Sequence, residues 1–99
     1  MEVKVGLIQM TCGDNPAENL DKIIVAIRDL AGRGAQIISG SELPLSEYFC
    51  QQKNQRFFNL AESVPGHTTE KLALIAKELN VVILMSLFEK ADDGKFYNT

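Results

Sequence analysis

Cysteine is scarce in this sequence, and the two present, Cys12 and Cys50, are far apart and not in a CxxC arrangement. They cannot form a disulfide framework, so reduced thiols in a cytoplasmic protein are expected. Asp92-Asp93-Gly94 is too short for a calcium-binding loop and is expected to form a turn. We therefore expect neither a metal nor a cofactor.

The sequence also lacks a basic patch, a long apolar run and a phosphate-binding loop. Its net charge of −3 gives no electrostatic footprint for nucleic acid. The longest apolar run, 81–88, contains Ser86 and is too short to cross a membrane. Residues 1–4 have no basic region or cleavage site of a signal peptide. Gly32-Arg33-Gly34 ends a predicted helix, whereas a phosphate-binding loop begins one.

What is present is the composition of one small globular domain: 99 residues, 45% hydrophobic and 23% charged. Hydrophobic periodicity predicts an α/β fold with the order β-α-β-α-β-β. The predicted strands are 3–10, 35–39, 81–88 and 95–99, and the predicted helices are 16–32 and 68–79. The first three strands are expected to be parallel with right-handed crossovers, and the last strand antiparallel to its predecessor.

Both ends of the first predicted helix carry recognisable signals, and Asn80 is expected to end the second. Asn15 followed by Pro16 and Glu18 is a helix-capping pattern, and Gly34 is a natural left-handed terminator. The long connection at 44–66 contains a candidate short helix at Arg56–Glu62. A connection of this length is usually functional rather than a passive linker.

The strongest candidate for chemistry is Glu42, just past the carboxyl end of the second predicted strand. Ligands of open α/β sheets bind at such strand ends. Leu43 and the aromatic residues Tyr48 and Phe49 would desolvate the carboxyl group and raise its pKa toward that of a general base. The alternative is a solvated loop carboxylate, which is the commoner role of an acid after a strand.

Several segments, in this order and at these spacings, resemble the amino-terminal third of the nitrilase, or carbon–nitrogen hydrolase, superfamily. They are 3–10, Asn15–Leu20, the segment around Glu42, Val64–Thr69 and Phe96–Thr99. The stretch Glu47–Gln51 is most similar to the N-carbamoylputrescine amidase branch. A motif match of this kind needs its structural context.

The resemblance implies a four-layer α-β-β-α sandwich, of which residues 1–99 are a single partial domain, the amino-terminal portion. It also implies a Glu-Lys-Cys mechanism that forms a thioester on the cysteine. Glu42 matches the glutamate. No lysine here matches the catalytic lysine, and Cys12 and Cys50 are outside the nucleophile's sequence context. We therefore expect an amino-terminal fragment that carries only the glutamate.

The same resemblance assigns expectations to two neighbours of Glu42. Tyr48 matches an aromatic residue that lines the family's substrate pocket, with loop packing as the alternative. Glu47 would meet a cationic amine tail, unless it is a solvated loop acid. One departure stands out: Gly40 and Ser41 replace the apolar residue and proline that usually precede the glutamate, which loosens the approach to Glu42.

Three functions remain open from the sequence. The first is an amidase acting on a small linear amide or N-carbamoyl amine. The second is a catalytically inactive fragment or an assembly module with the same α/β layer. The third, a Rossmann-like or flavodoxin-like binding domain, lacks a phosphate-binding loop. A Cys50–His67 pair would need triad geometry that the spacing does not support, and His67 is better placed at a helix start.

The partners expected from the sequence are the small-molecule substrate and further copies of the chain, with neither nucleic acid nor membrane. The predicted strand 81–88 is apolar on both sides, and the two helices cover only one face of its sheet. An uncovered apolar face on a soluble monomer favours self-association, so a homo-oligomer is expected.

Overall fold

The computed structural model describes residues 2–41 and 60–99. The described part is an α/β fold whose elements follow the predicted order as far as the second helix. In chain order the elements are β1 (Val5–Leu7), α1 (Pro16–Gly32), β2 (Ile37–Ser39), α2 (His67–Leu79), β3 (Val82–Leu84), β4 (Phe88–Lys90) and β5 (Phe96–Asn98).

Helix α1 begins and ends where its capping residues predict. The Asn15 side chain accepts hydrogen bonds from the backbone N–H groups of Ala17 and Glu18 at 3.0 and 3.3 Å. These bonds satisfy two of the donors that the first turn leaves unpaired. At the other end Gly34 has φ of +95°, and its N–H donates to the carbonyl of Ala31. Only glycine adopts that conformation readily, so the chain turns there into β2.

Helix α2 is likewise predicted correctly to within one residue. It begins at His67, after Gly66 donates its N–H to the Thr69 hydroxyl at 2.7 Å. Asn80 ends it in the left-handed conformation, with φ of 54°. Asparagine tolerates this conformation better than other non-glycine residues, and it often ends helices in this way.

The first three strands form one parallel sheet, as predicted, and the structure shows that their order in it is β1-β2-β3. Both helices pack on the same face of this sheet, and the core lies between the two layers. That core is made of Ile8, Leu20, Ile23, Ile27, Ala35, Ile38, Leu72 and Ile75. Gly6 allows the close approach of α1, because a Cβ atom there would lie 2.9 Å from Cδ1 of Leu30.

Two exposed ion pairs join α1 to α2. Lys71 lies 4.0 Å from Asp21, and Arg28 pairs with Glu78. Arg28 lies about two turns after Asp21 in α1, and Glu78 lies about two turns after Lys71 in α2. The pairs therefore connect equivalent levels of two helices that run side by side in the same direction, as two successive β-α-β units require.

The prediction of a single strand at 81–88 is wrong. Residues Val82–Leu84 belong to the parallel sheet, but Phe88–Lys90 pair with β5 in a separate antiparallel hairpin. The pairing partner of the chain changes between these two strands. The Leu87 N–H donates to the Thr99 carbonyl at 2.6 Å, and the Leu87 carbonyl accepts from the Thr99 N–H at 2.8 Å. The apolar run 81–88 gives no sign of this change, because apolar residues are compatible with pairing in either sheet.

Three other boundaries also differ from the sequence prediction. The first strand spans only Val5–Leu7, although the Ile8 N–H still bonds to β2. The second strand begins at Ile37, after a bend at Gln36. The candidate helix at Arg56–Glu62 does not reach its predicted end, since Glu62 forms a parallel bridge with Glu89; residues 56–59 lie outside the described residues.

The second face of the parallel sheet is open in the part of the chain that the structure describes. Val5 and Leu7 of β1 are 57% and 75% exposed, and Val82 and Leu84 of β3 are 54% and 55% exposed. The register aligns these four side chains in two rows across the sheet, with Ile37 and Ser39 between them. The apolar residues on both faces of the first strand favour burial between two layers, but within the described residues only the face toward the helices is covered.

Candidate functional site

The candidate site lies at the carboxyl edge of the parallel sheet, where β2 leads toward Glu42. Glu42 itself, and the two predicted substrate contacts Glu47 and Tyr48, lie outside the described residues. Their roles therefore stay predictions. What the structure does describe is the strand end at Ser39–Ser41 and the segments that flank it.

The end of β2 is held by backbone hydrogen bonds on both sides. Ile8 donates its N–H to the carbonyl of Ser39 at 2.9 Å, and Gly40 donates its N–H to the carbonyl of Leu84 at 3.1 Å. The Ser39 hydroxyl also donates to the Gly40 carbonyl at 3.3 Å. The chain is thus fixed between β1 and β3 as far as Gly40, two positions before Glu42.

The loop between β1 and α1 flanks the same edge and is fixed by a buried amide. The Asn19 side chain, only 1% exposed, accepts a hydrogen bond from the Gly13 N–H at 3.0 Å. Its Nδ2 atom donates to the Gly13 carbonyl at 2.9 Å. One side chain thereby satisfies both polar groups of a loop residue and ties the loop to α1.

Cys12 lies in this loop, but its thiol does not have the lowered pKa that activates a cysteine nucleophile. Burial raises the pKa of its thiol, and the nearby Lys22 ammonium only partly opposes that effect. The thiolate is the reactive form of cysteine, so a raised pKa makes the group less reactive near neutral pH.

A cavity of about 210 Å³ lies between the first turns of α1 and α2. Its charged and titratable lining residues are Asp21, Glu62, His67 and Lys71. The Oε1 atom of Glu62 is buried and has no hydrogen-bond partner among residues 2–41 and 60–99.

The remaining candidate residues have structural roles where they are described. His67 is the first residue of α2 and is exposed, and Cys50 lies outside the described residues, so the structure does not test a Cys50–His67 pair. Asp93 accepts hydrogen bonds from the Lys95 N–H and the Tyr97 hydroxyl, as expected for a turn residue. Within residues 2–41 and 60–99, no group of three potential metal ligands occurs, and no helix is long and apolar enough to cross a membrane.

Sequence analysis missed Asn19, although a signal for it exists. Asn19 is a polar residue beside Leu20 in the apolar stripe of α1, and it is as deeply buried as its core neighbours. A buried amide must find hydrogen-bond partners, so its position on the core side of the helix indicates a contact with nearby backbone. Which backbone it contacts cannot be read from the spacing.

Comparison with known protein sequences gives a consistent result. Residues 4–99 match the family model described as carbon-nitrogen hydrolase. The chain is 39% identical over 98 residues to a citrullinase of Francisella tularensis, covering 98% of this chain and 34% of that protein. It is 37% identical over 95 residues to an N-carbamoylputrescine amidase of Solanum lycopersicum, covering 95% of this chain and 32% of that protein.

Solved structures match the fold over almost the whole chain. A carbon-nitrogen hydrolase from Helicobacter pylori G27 superposes with a TM-score of 0.80 at 24% identity, covering 97% of this chain and 33% of that one. At this identity the likeness concerns the fold alone. The chain spans about one third of the length of these relatives.

Proposed function

The chain belongs to the carbon–nitrogen hydrolase family, and we propose that it supplies the general base and part of the substrate pocket of an amidase. The proposed substrate is a linear amide or N-carbamoyl amine. In this proposal Glu42 is the base. The lysine and the nucleophilic cysteine of the Glu-Lys-Cys set come from residues beyond these 99.

The proposed reaction needs a nucleophile, a base and donors for the developing oxyanion. Glu42 accepts the proton of the cysteine thiol as sulfur attacks the substrate carbonyl carbon. The lysine ammonium stabilises the negative oxygen of the tetrahedral intermediate. When the C–N bond breaks, the proton passes from Glu42 to the leaving amine, and a thioester remains. Water, deprotonated by Glu42, then hydrolyses the thioester to the acid and the free thiol.

The observation that carries the proposal is the double anchoring of the strand end before Glu42. A general base contributes only when it is held in position near the proton it removes. The bonds at Ser39 and Gly40 fix the backbone on both sides of β2, and they compensate in part for the missing proline at Ser41. Glu42 follows directly from this fixed segment.

The substrate class rests on the segment Glu47–Gln51 and on the relatives. That segment resembles N-carbamoylputrescine amidases, and several plant enzymes with this name are 35–37% identical to the chain. We propose that Tyr48 lines the pocket and that Glu47 binds a cationic end of the substrate. An amine-bearing substrate would suit the acid at Glu47 through a charge-assisted hydrogen bond.

A chimaera tests this proposal directly. In it, residues 4–99 replace the matching third of the N-carbamoylputrescine amidase of Solanum lycopersicum, which then provides the other two thirds. We expect the chimaera to hydrolyse N-carbamoylputrescine and the Glu42→Gln chimaera to fold but to lose at least about a hundredfold in kcat. The isolated chain should be inactive. An active Glu42→Gln chimaera, or activity of the isolated chain that Cys50→Ala abolishes, would refute the assignment.

A second role, as an assembly module, is favoured by one observation. The open sheet face exposes Val5, Leu7, Val82 and Leu84 in two adjacent rows, and large contiguous apolar patches are uncommon on soluble monomers. We propose that isolated chains pack these faces together as a two-fold dimer or a larger homo-oligomer. This role does not require any catalytic residue.

A further inference from the structure

We infer that Asn19 is a positioning residue that fixes the β1–α1 loop as one wall of the substrate crevice, and so contributes to substrate affinity. The inference rests on the proposed function, because it concerns the crevice beside Glu42. It adds a residue of α1 that does not itself touch the reacting atoms.

Asn19 holds the β1–α1 loop through two hydrogen bonds to Gly13, which together form the Asn19 clamp. Asn19 uses its amide oxygen and its amide nitrogen on the same residue, Gly13, at 3.0 and 2.9 Å. Two bonds from one rigid planar group fix both the distance and the orientation of the loop backbone. Because Asn19 is 1% exposed, its amide group has little access to water that could take over these two bonds.

The clamped loop leaves the carboxyl end of β1, which is hydrogen-bonded to the end of β2 through Ile8 and Ser39. Loops that follow the carboxyl ends of adjacent parallel strands border the same crevice. The loop held by Asn19 and the segment leading to Glu42 are therefore neighbours at one sheet edge.

The Asn19 clamp bears on KM rather than on kcat. The loop lies on the β1 side of the edge, while the approach to Glu42 is fixed independently by the bonds to β1 and β3. Without the two Asn19–Gly13 bonds the β1–α1 loop is free to move, whereas the strand end that leads to Glu42 stays fixed. An interaction made equally in the ground state and the transition state affects KM and not kcat, and a binding wall is of that kind.

The clamp itself is tested on the isolated chain in a Cys50→Ser background, where Cys12 is the single thiol. Asn19→Leu has nearly the same size but makes neither hydrogen bond to Gly13. We expect iodoacetamide to alkylate Cys12 at least about fivefold faster in this variant, since reactivity follows exposure and pKa. Ile27→Val is the matched control, because Ile27 lies in the buried core about two turns further along the same helix.

The effect on affinity is tested in the chimaera. We expect Asn19→Leu to raise KM for N-carbamoylputrescine about fivefold or more, with kcat within about twofold, while Ile27→Val leaves both constants unchanged. Asn19→Ala should act in the same direction and provides a second test if Asn19→Leu folds poorly.

Each outcome decides a separate part of the account. Equal alkylation rates in Asn19→Leu and Ile27→Val would overturn the clamp. Faster alkylation with an unchanged KM would show that the clamp is purely structural and would overturn the positioning role. A chimaera without turnover would refute the proposed function, and with it the role in affinity, whereas the alkylation result would still stand alone.

Discussion

Gly40 donates its backbone N–H to the carbonyl oxygen of Leu84 at 3.1 Å, two positions before Glu42. This bond joins β2 to β3 at the last point before the proposed base. It also involves Gly40, which, with Ser41, the resemblance to the carbon–nitrogen hydrolase family matches to an apolar residue and a proline. Hydrogen bonding to the neighbouring strand thus takes over part of the stiffening that proline would supply.

The Gly40–Leu84 bond yields a testable prediction. In the chimaera, Gly40→Pro removes the donor, and we expect kcat to fall by about tenfold or more because the segment before Glu42 loses one of its two anchors. Gly40→Ala keeps the N–H and serves as the control. Steady-state kinetics of both variants decide the matter, and an unchanged kcat in Gly40→Pro would show that the bond does not help to position the base.

The two ion pairs between α1 and α2 should contribute little to stability. All four side chains are 44–75% exposed, so solvent screens their attraction. A double-mutant cycle with Asp21→Ala and Lys71→Ala, followed by urea unfolding, should give a coupling energy below about 1 kcal/mol. A larger value would mean that the pair is shielded from water more than its exposure indicates.

The Cys12 thiol should need a higher pH than an ordinary thiol to react. Burial raises its pKa in the folded protein, so the folded state holds the proton more tightly than the unfolded state does. The resulting stabilisation is present below the unfolded pKa and is lost as pH rises through the folded value. Alkylation rates of the Cys50→Ser chain across pH 7 to 10 should show a midpoint above that of the urea-unfolded chain. Coincident midpoints would contradict the raised pKa.

The isolated chain should self-associate through its open sheet face. Light scattering at rising protein concentration should show a mass above 11 kDa, and a hydrophobic dye should bind at low concentration. Leu7→Lys, at the most exposed apolar position of that face, should favour the monomer, whereas Val25→Lys on the outer side of α1 should not. A monodisperse monomer that binds no dye would rule out this form of assembly.

The sequence predicts the helices and the parallel sheet well because their signals are local. Asn15, Gly34 and Asn80 each act within one turn of the chain, and the apolar stripes of α1 and α2 face one common core. Those residues are sufficient to define the β-α-β-α-β order. The position of Glu42 after the second strand follows from the same local signals.

The rest depends on contacts between distant residues and could not be predicted in this way. The run 81–88 divides because Leu87 pairs with Thr99, and alternation of apolar residues does not reveal which neighbour a strand will choose. The bond from Asn19 to Gly13 depends on how the loop folds back over α1. Whether each face of β1 is covered depends on which layers pack on the sheet. The apolar residues on both faces of this strand predict that both faces are covered.

The most direct test of the central claim is the kcat of the chimaera with and without Glu42→Gln, measured with N-carbamoylputrescine. The substitution keeps the size of the side chain but removes its ability to accept a proton. We expect kcat to fall by at least about a hundredfold, as is typical for loss of a general base, with unfolding by urea unchanged. A loss of less than about threefold would show that Glu42 is a loop carboxylate and that the base of this amidase lies elsewhere.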